Sequence, residues 1–258
     1  YSSNPSSSSM DVRLARRFPS VSGSAEEVLA LRPDVVIAGS FLAPSLASAL
    51  QENGVTLVQI PIATSVADSE AQVRRIAAIA RRPQAGEALV RRIEAALRAA
   101  APPARSAPLS AVVWQSGGIV PGDATLIADL LRRTGFANFS AARGMRQADF
   151  LPLETMLADP PRVILTAGDA RSDEDRLLGH PALAGLRGTS RAKFDPSLLW
   201  CGGPTIIRAA ARLAEVRRNL ASPPPTPSSE EEGAITSRDL LPLLFRGGGR
   251  GVVAARQP

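Results

Sequence analysis

Histidine and cysteine are nearly missing from this chain of 258 residues: His180 and Cys201 stand alone. A single cysteine excludes an internal disulfide and leaves the redox compartment undecided. One histidine beside one cysteine cannot build a zinc site of the usual kind, so no metal site is expected. Lysine is equally scarce, with Lys193 the only one, so the net charge of +6 is carried by arginine. The arginines fall in scattered pairs, Arg74-Arg75, Arg81-Arg82 and Arg91-Arg92, within segments of helical periodicity, where they read as a solvated face. Aromatic residues make up 4% of the chain and none interleaves with those pairs to stack bases, so nucleic acid is not a partner. No run of 18 apolar residues occurs, which leaves no membrane span. There is no G-x-S-x-G elbow, and "GGIVPG" at 117–122 has neither the glycine spacing nor the acidic partner of a dinucleotide fingerprint. "RGGGRG" at 246–251 lies outside any β-α-β context. No catalytic residue can be named, and no cofactor is expected.

What the chain does contain is a helix, turn and strand spelled twice. "EEVLALRPDVVIAG" at 26–39 returns as "ETMLADPPRVILTAG" at 154–168. Glu26 and Glu154, Leu29 and Leu157, Pro33 and Pro161, and Ile37 and Leu165 are all 128 apart, far beyond the period of a solenoid. Each copy joins a Glu, a short apolar helical turn, a Pro that stops the helix and a run of β-formers. A continuous apolar run predicts a strand buried on both faces, as in parallel sheets. Two such units suggest two similar lobes, and 258 residues with 45% hydrophobic content suffice for one large or two small domains.

Residues 1–22 are polar and Ser-rich, with a possible helical turn at "DVRLARRF". After the first unit, "APSLASALQENG" at 43–54 has helical spacing and a Gly54 stop, and "VTLVQIP" at 55–61 is the next strand. This is β-α-β, with parallel strands and a right-handed crossover. From Ser65 to Ala101 the pattern is helical, interrupted at Pro83. Strand "LSAVVWQ" at 109–115, a Gly-rich turn, helix "LIADLLRRTG", the second unit, a helix and turn over 172–186, a short strand "SRAKF" and a last helix from Pro204 follow. After Leu220 the Pro, Ser, Glu and Gly clusters predict a disordered tail.

In an open parallel sheet, ligands lie outside the carboxyl ends of the strands. The loops at those ends are "GSFLAP", "QSGGIVPG", "GDARS" and "LLWCGGP", and Phe41 and Trp200 would be exposed aromatics there, able to sandwich a flat ligand.

"SAEEVLALRPDVVIAG", "RRIEAAL", the "QSGG" turn with "ADLLRRTGFANF", "LPLETMLADPPRVIL" and "WCGGP" together resemble the metal-chelate and cobalamin substrate-binding proteins of bacterial ABC importers, over about residues 1–220. The resemblance implies two three-layer α/β lobes joined by a single long helix: an N-terminal lobe at 1–83, a linking helix at 84–103, a C-terminal lobe at 104–220 and the tail at 221–258. It implies a periplasmic monomer and binding protein, not an enzyme, that holds cobalamin, heme or a ferric siderophore in the cleft. The cleft residues would be Tyr1, Ser40, Phe41, Gln115, Ser116, Gly117, Gly118 and Trp200. It also implies that Glu26 and Glu154 dock with arginines of a permease dimer, whereas the residues alone read as acids placed in first helical turns, where they favour the helix dipole.

The sequence departs from that family in two respects: the first lobe lacks the initial β-α-β portion expected before Tyr1, where any signal or anchor would also lie, and the tail after Leu220 has no family counterpart. A sheet lacking a strand should expose an edge and apolar surface. A second reading is a cytosolic chelatase-like enzyme of related two-lobed fold. It needs a base or metal ligand in the cleft, for which His180 is the only histidine.

Overall fold

The computed structural model describes residues 17–168, 180–199 and 201–221. Tyr1, Trp200, the stretch 169–179 and the tail from residue 222 lie outside the described residues.

The two repeated units fold alike. Helix α1 (Ala25–Ala30) leads to strand β1 (Val35–Gly39), and helix α6 (Leu153–Ala158) leads to strand β7 (Val163–Ala167), so that each boundary is displaced by the same 128 residues. Ser24 caps α1 by accepting from the Glu27 N–H at 3.3 Å, and the Glu27 carboxylate accepts from the Ser22 N–H and hydroxyl. Arg32, at φ 46°, and Pro33 then turn the chain out of the helix.

The two copies stand in different sheets. Strand β1 pairs in parallel with β2 (Thr56–Ile60) across helix α2 (Pro44–Glu52), with Val35 opposite Thr56 and Gly39 opposite Ile60. Pro44 starts α2, and Gly54, at φ 73°, follows its end as the sequence predicts. Strand β7 lies in a four-stranded parallel sheet ordered β5-β3-β7-β8, where β3 is Leu109–Gln115, β5 is Phe136–Asn138 and β8 is Ser190–Lys193.

In chain order, α3 (Val66–Ile79) and α4 (Pro83–Ala100) fall between β2 and β3, separated by Arg81 at φ 54°. The predicted helical stretch is therefore two helices, with Pro83 at the first position of the second, where its missing N–H costs nothing. A Cβ on Gly86 would sit 2.5 Å from the Ala77 Cβ, so glycine is what lets α3 and α4 cross closely. Helix α5 (Leu126–Arg133), helix α7 (Pro181–Ala184) and helix α8 (Thr205–Ala221) are the remaining α-helices among the described residues.

The four-stranded sheet is covered on both faces. Ala111 and Val113 of β3, with Val163 and Leu165 of β7, pack on α4, α5 and α8 through Ile93, Leu130 and Leu213. The alternate residues Val112, Trp114 and Ile164 pack on the other face with Met156 of α6 and Leu183 of α7. That is the three-layer burial a continuous apolar run predicts.

Strand β1 departs from the same expectation. Its residues alternate between exposed and half-buried, with Val35 and Ile37 on the exposed side. The run is apolar, but β1 and β2 form a sheet of only two strands, and every second residue of β1 is exposed.

A third sheet has no counterpart in the sequence reading. Strand β4 (Ile119–Pro121), inside the predicted Gly-rich turn, pairs antiparallel with β6 (Ala148–Phe150).

Candidate ligand-binding site

Two turns that feed helices form the walls of a cavity. One is Ile62-Ala63-Thr64, between β2 and α3, and the other is Ala124-Thr125, between β4 and α5. Leu126 and Ile127 of α5, Pro121, Gln147 and Ala148 of the β4–β6 ribbon, Gln115 at the end of β3 and Leu199 complete the lining.

Each wall is fixed by local hydrogen bonds. At the first, Ser65 and Asp68 form a reciprocal capping box on α3. The Thr64 hydroxyl and N–H both donate to Asp68, at 2.8 and 3.1 Å. The Thr64 hydroxyl, then Ser65, hold the Asp68 carboxyl below its ordinary value. At the second, Thr125 caps α5, and the N–H groups of Gly122, Asp123 and Ala124 donate to the carbonyls of Gln147, Met145 and Arg146. A Cβ on Gly122 would meet the Met145 carbonyl carbon at 2.4 Å, so only glycine permits that approach.

Asp129 joins the walls. It is 7% exposed, on α5, and accepts from the Val66 N–H at the start of α3 at 2.9 Å. Arg133 Nε donates to the same oxygen at 3.0 Å, and Arg132 reaches the other at 3.4 Å. Burial alone would push this carboxyl up, but the Val66 N–H and the two guanidinium groups outweigh it and hold it below the usual carboxylate range. One turn further along α3, the buried Ser69 hydroxyl accepts from the Gly203 N–H at 2.7 Å. A Cβ on Gly202 would lie 2.3 Å from that hydroxyl. Gly203, at φ 59°, turns the chain into α8. The glycines of "WCGGP" thus have a steric reason.

Among the described residues, the lining side chains are apolar, amide or hydroxyl, and none is ionisable. Such a surface can bind and orient a ligand. His180 is exposed and caps α7, its Nδ1 accepting from the Ala182 N–H at 3.2 Å.

Of the sequence-predicted ligand residues, Gln115 lines the cavity. Ser116, Gly117 and Gly118 form the tight turn directly after it, with Gly117 at φ 68° and Gly118 at φ 79°. Ser40 and Phe41 are exposed just past the end of β1 and are not among the lining residues. Tyr1 and Trp200 fall outside the described residues. Glu26 and Glu154 are both exposed in the first turns of α1 and α6. Sequence reasoning missed the wall at Ile62–Thr64, although it follows a parallel strand and the strand-end rule applied to β2 would have found it. Gln147 and Ala148 carried no such signal.

The sequence profile of the family described as periplasmic binding protein matches residues 2–190. Among curated proteins, none matches the chain in sequence. Solved structures do. A periplasmic heme-binding protein from Pseudomonas aeruginosa is 25% identical, over 84% of this chain and 85% of its own, with a TM-score of 0.65. The periplasmic heme-binding protein HutB of Vibrio cholerae is 20% identical, over 79% and 86%, with a TM-score of 0.66. The periplasmic vitamin B12-binding protein BtuF of Vibrio cholerae is 15% identical, over 77% and 79%, with a TM-score of 0.58. At those identities the last two are alike in fold.

Proposed function

Because the chain belongs to the periplasmic binding protein family, we propose that it is the substrate-binding component of an ABC importer, capturing a metal chelate and handing it to a membrane permease. The chelate is of the cobalamin, heme or ferric siderophore class. The observation that carries this reading is the cavity between the Ile62–Thr64 turn and the α5 entry, walled among the described residues by apolar, amide and hydroxyl side chains. The ligands of the similar proteins, heme and vitamin B12, point to the same class.

In this reading the β1–β2 sheet belongs to a first lobe, the four-stranded sheet to a second, and α4 links them, roughly 27 Å long at 1.5 Å per residue. The occurrence of one helix-strand unit in both sheets supports two equivalent lobes. Glu26 and Glu154 occupy matching exposed positions on the two units, which supports a role for each in docking to one of two permease subunits. The family supports a periplasmic location, and we take the binding protein to act as a monomer. A chelatase-like enzyme is not favoured, since no base lines the cavity among the described residues and His180 is engaged as a helix cap.

The experiment is thermal unfolding of the purified protein with hemin, cyanocobalamin and a ferric siderophore in turn. A ligand at 100 times its Kd adds about 2.7 kcal/mol to stability and raises the midpoint accordingly. No shift with any of the three would overturn the importer reading.

A further inference from the structure

Helices α3 and α4 cross at Ala77 and Gly86, and both residues line a second cavity, together with the turn at 202–204 before α8. It encloses about 470 Å³, inside the roughly 300–1,000 Å³ of sites that take a drug-sized ligand. It shares no lining residue with the cavity between the Ile62–Thr64 turn and α5.

The wall is apolar because of how the two helices are spelled. Val73, Ile76 and Ala80 follow one another at helical spacing along α3 and its end, and Ala85 and Leu89 do the same on α4. Such stripes ordinarily close against a neighbouring element. Here they stay partly open: Ile76 is 39% exposed, Val73 and Leu89 are half-buried, and Ala85 is exposed.

The polar side chains of the lining are engaged, with one exception. The Ser69 hydroxyl accepts from the Gly203 N–H, and Gln72 Nε2 donates to the Pro61 carbonyl at 2.7 Å. Arg82, exposed at the start of α4, is the only ionisable residue in the lining. Its guanidinium has no ion pair or hydrogen bond among the described residues, whereas Arg74 of α3 is held by Glu87 at 2.8 Å.

We propose that this cavity binds a free fatty acid, its alkyl chain laid along the α3–α4 wall and its carboxylate on Arg82. An apolar wall with one unpaired cation at its edge selects an amphiphile carrying a single negative charge. The guanidinium fork matches a carboxylate with two parallel hydrogen bonds. An alkylammonium would meet a like charge, and a short anion would leave the wall uncovered. The fatty acid is distinct from the chelate proposed for the other cavity.

The test is calorimetric titration of the full chain with decanoate, decyltrimethylammonium and acetate, each below any micellar concentration, for the wild type and for Arg82→Gln, Arg82→Glu and Ala85→Leu. Decanoate alone should bind the wild type. Ala85→Leu fills the cavity and should weaken decanoate tenfold or more. Arg82→Gln should weaken it about fivefold, the upper end for an exposed ion pair. Arg82→Glu should reverse the order, so that decyltrimethylammonium binds more tightly than decanoate. Unfolding midpoints without ligand should match the wild type, because both positions are exposed, and this separates a binding role from a structural one. Equal decanoate affinity for Ala85→Leu and wild type would overturn the site. So would a wild type that takes decyltrimethylammonium as tightly as decanoate, or one that binds no decanoate. Unchanged decanoate affinity in Arg82→Gln would overturn the anchoring on Arg82.

Discussion

Replacing Asp129 by Ala removes the acceptor for the Val66 N–H in a place where water cannot substitute, since Val66 is buried and Asp129 nearly so. A hydrogen bond to a charged group contributes about 1.5–3 kcal/mol, and a buried donor left unpaired costs about 1–3 kcal/mol. These are two descriptions of overlapping losses, so they are not added. The bonds to Arg132 and Arg133 add little, because both guanidinium groups are about half exposed and solvent screens them. Asp129→Ala should therefore destabilise the protein by about 3 kcal/mol in urea unfolding. Asp129→Asn keeps an oxygen for the Val66 N–H and should cost about half as much. The acid limb gives a second readout. The Asp129 pKa is lower in the folded protein than in the unfolded chain, so the unfolded chain binds the proton first as pH falls. Its stabilisation is fully present above about pH 4, the ordinary carboxylate value, and is lost as pH falls through the folded value. The stability gap between wild type and Asp129→Asn should be constant near neutrality and shrink in that acid range. A cost for Asp129→Ala within about 0.5 kcal/mol, the level of an ordinary surface change, would refute the account.

Gly202→Ala should cost about 2–4 kcal/mol in thermal unfolding, since the added methyl collides with the Ser69 hydroxyl and displaces its bond to Gly203. A midpoint equal to wild type would show that this contact yields freely. Glu26→Ala combined with Glu154→Ala should leave ligand affinity unchanged and slow uptake into vesicles carrying the permease, because rim charges act mainly on association rate and orientation. Normal uptake by the double variant would return both residues to the helix-dipole role.

The helix-strand units were legible because their signals are local. A Glu-led apolar turn, a proline stop and a β-branched run sit within fourteen residues, and both copies folded with identical boundaries. The burial of β1 was not legible, since an apolar run reports what a strand could bury and not how many neighbours cover it. The β4–β6 ribbon was invisible for another reason. Its strands are three residues long, contain Pro121 and Asp149, and pair across about thirty intervening residues, so neither periodicity nor propensity marks them. The candidate site shares this division: Gln115 followed from the strand-end rule, whereas Gln147 and Ala148 depend on that long-range pairing.

The two bonds that hold the start of α3, from Val66 to Asp129 and from Gly203 to Ser69, bridge 63 and 134 residues of chain. The first N–H groups of a helix ordinarily lack an intrahelical partner and exchange their hydrogen with solvent readily. Here the Val66 amide can exchange only when α3 parts from α5, and the Gly203 amide only when α3 parts from the turn before α8. Their deuterium uptake rates therefore measure the free energy of those two separations. A ligand seated between the walls should slow both amides together, and one lying wholly outside should slow neither.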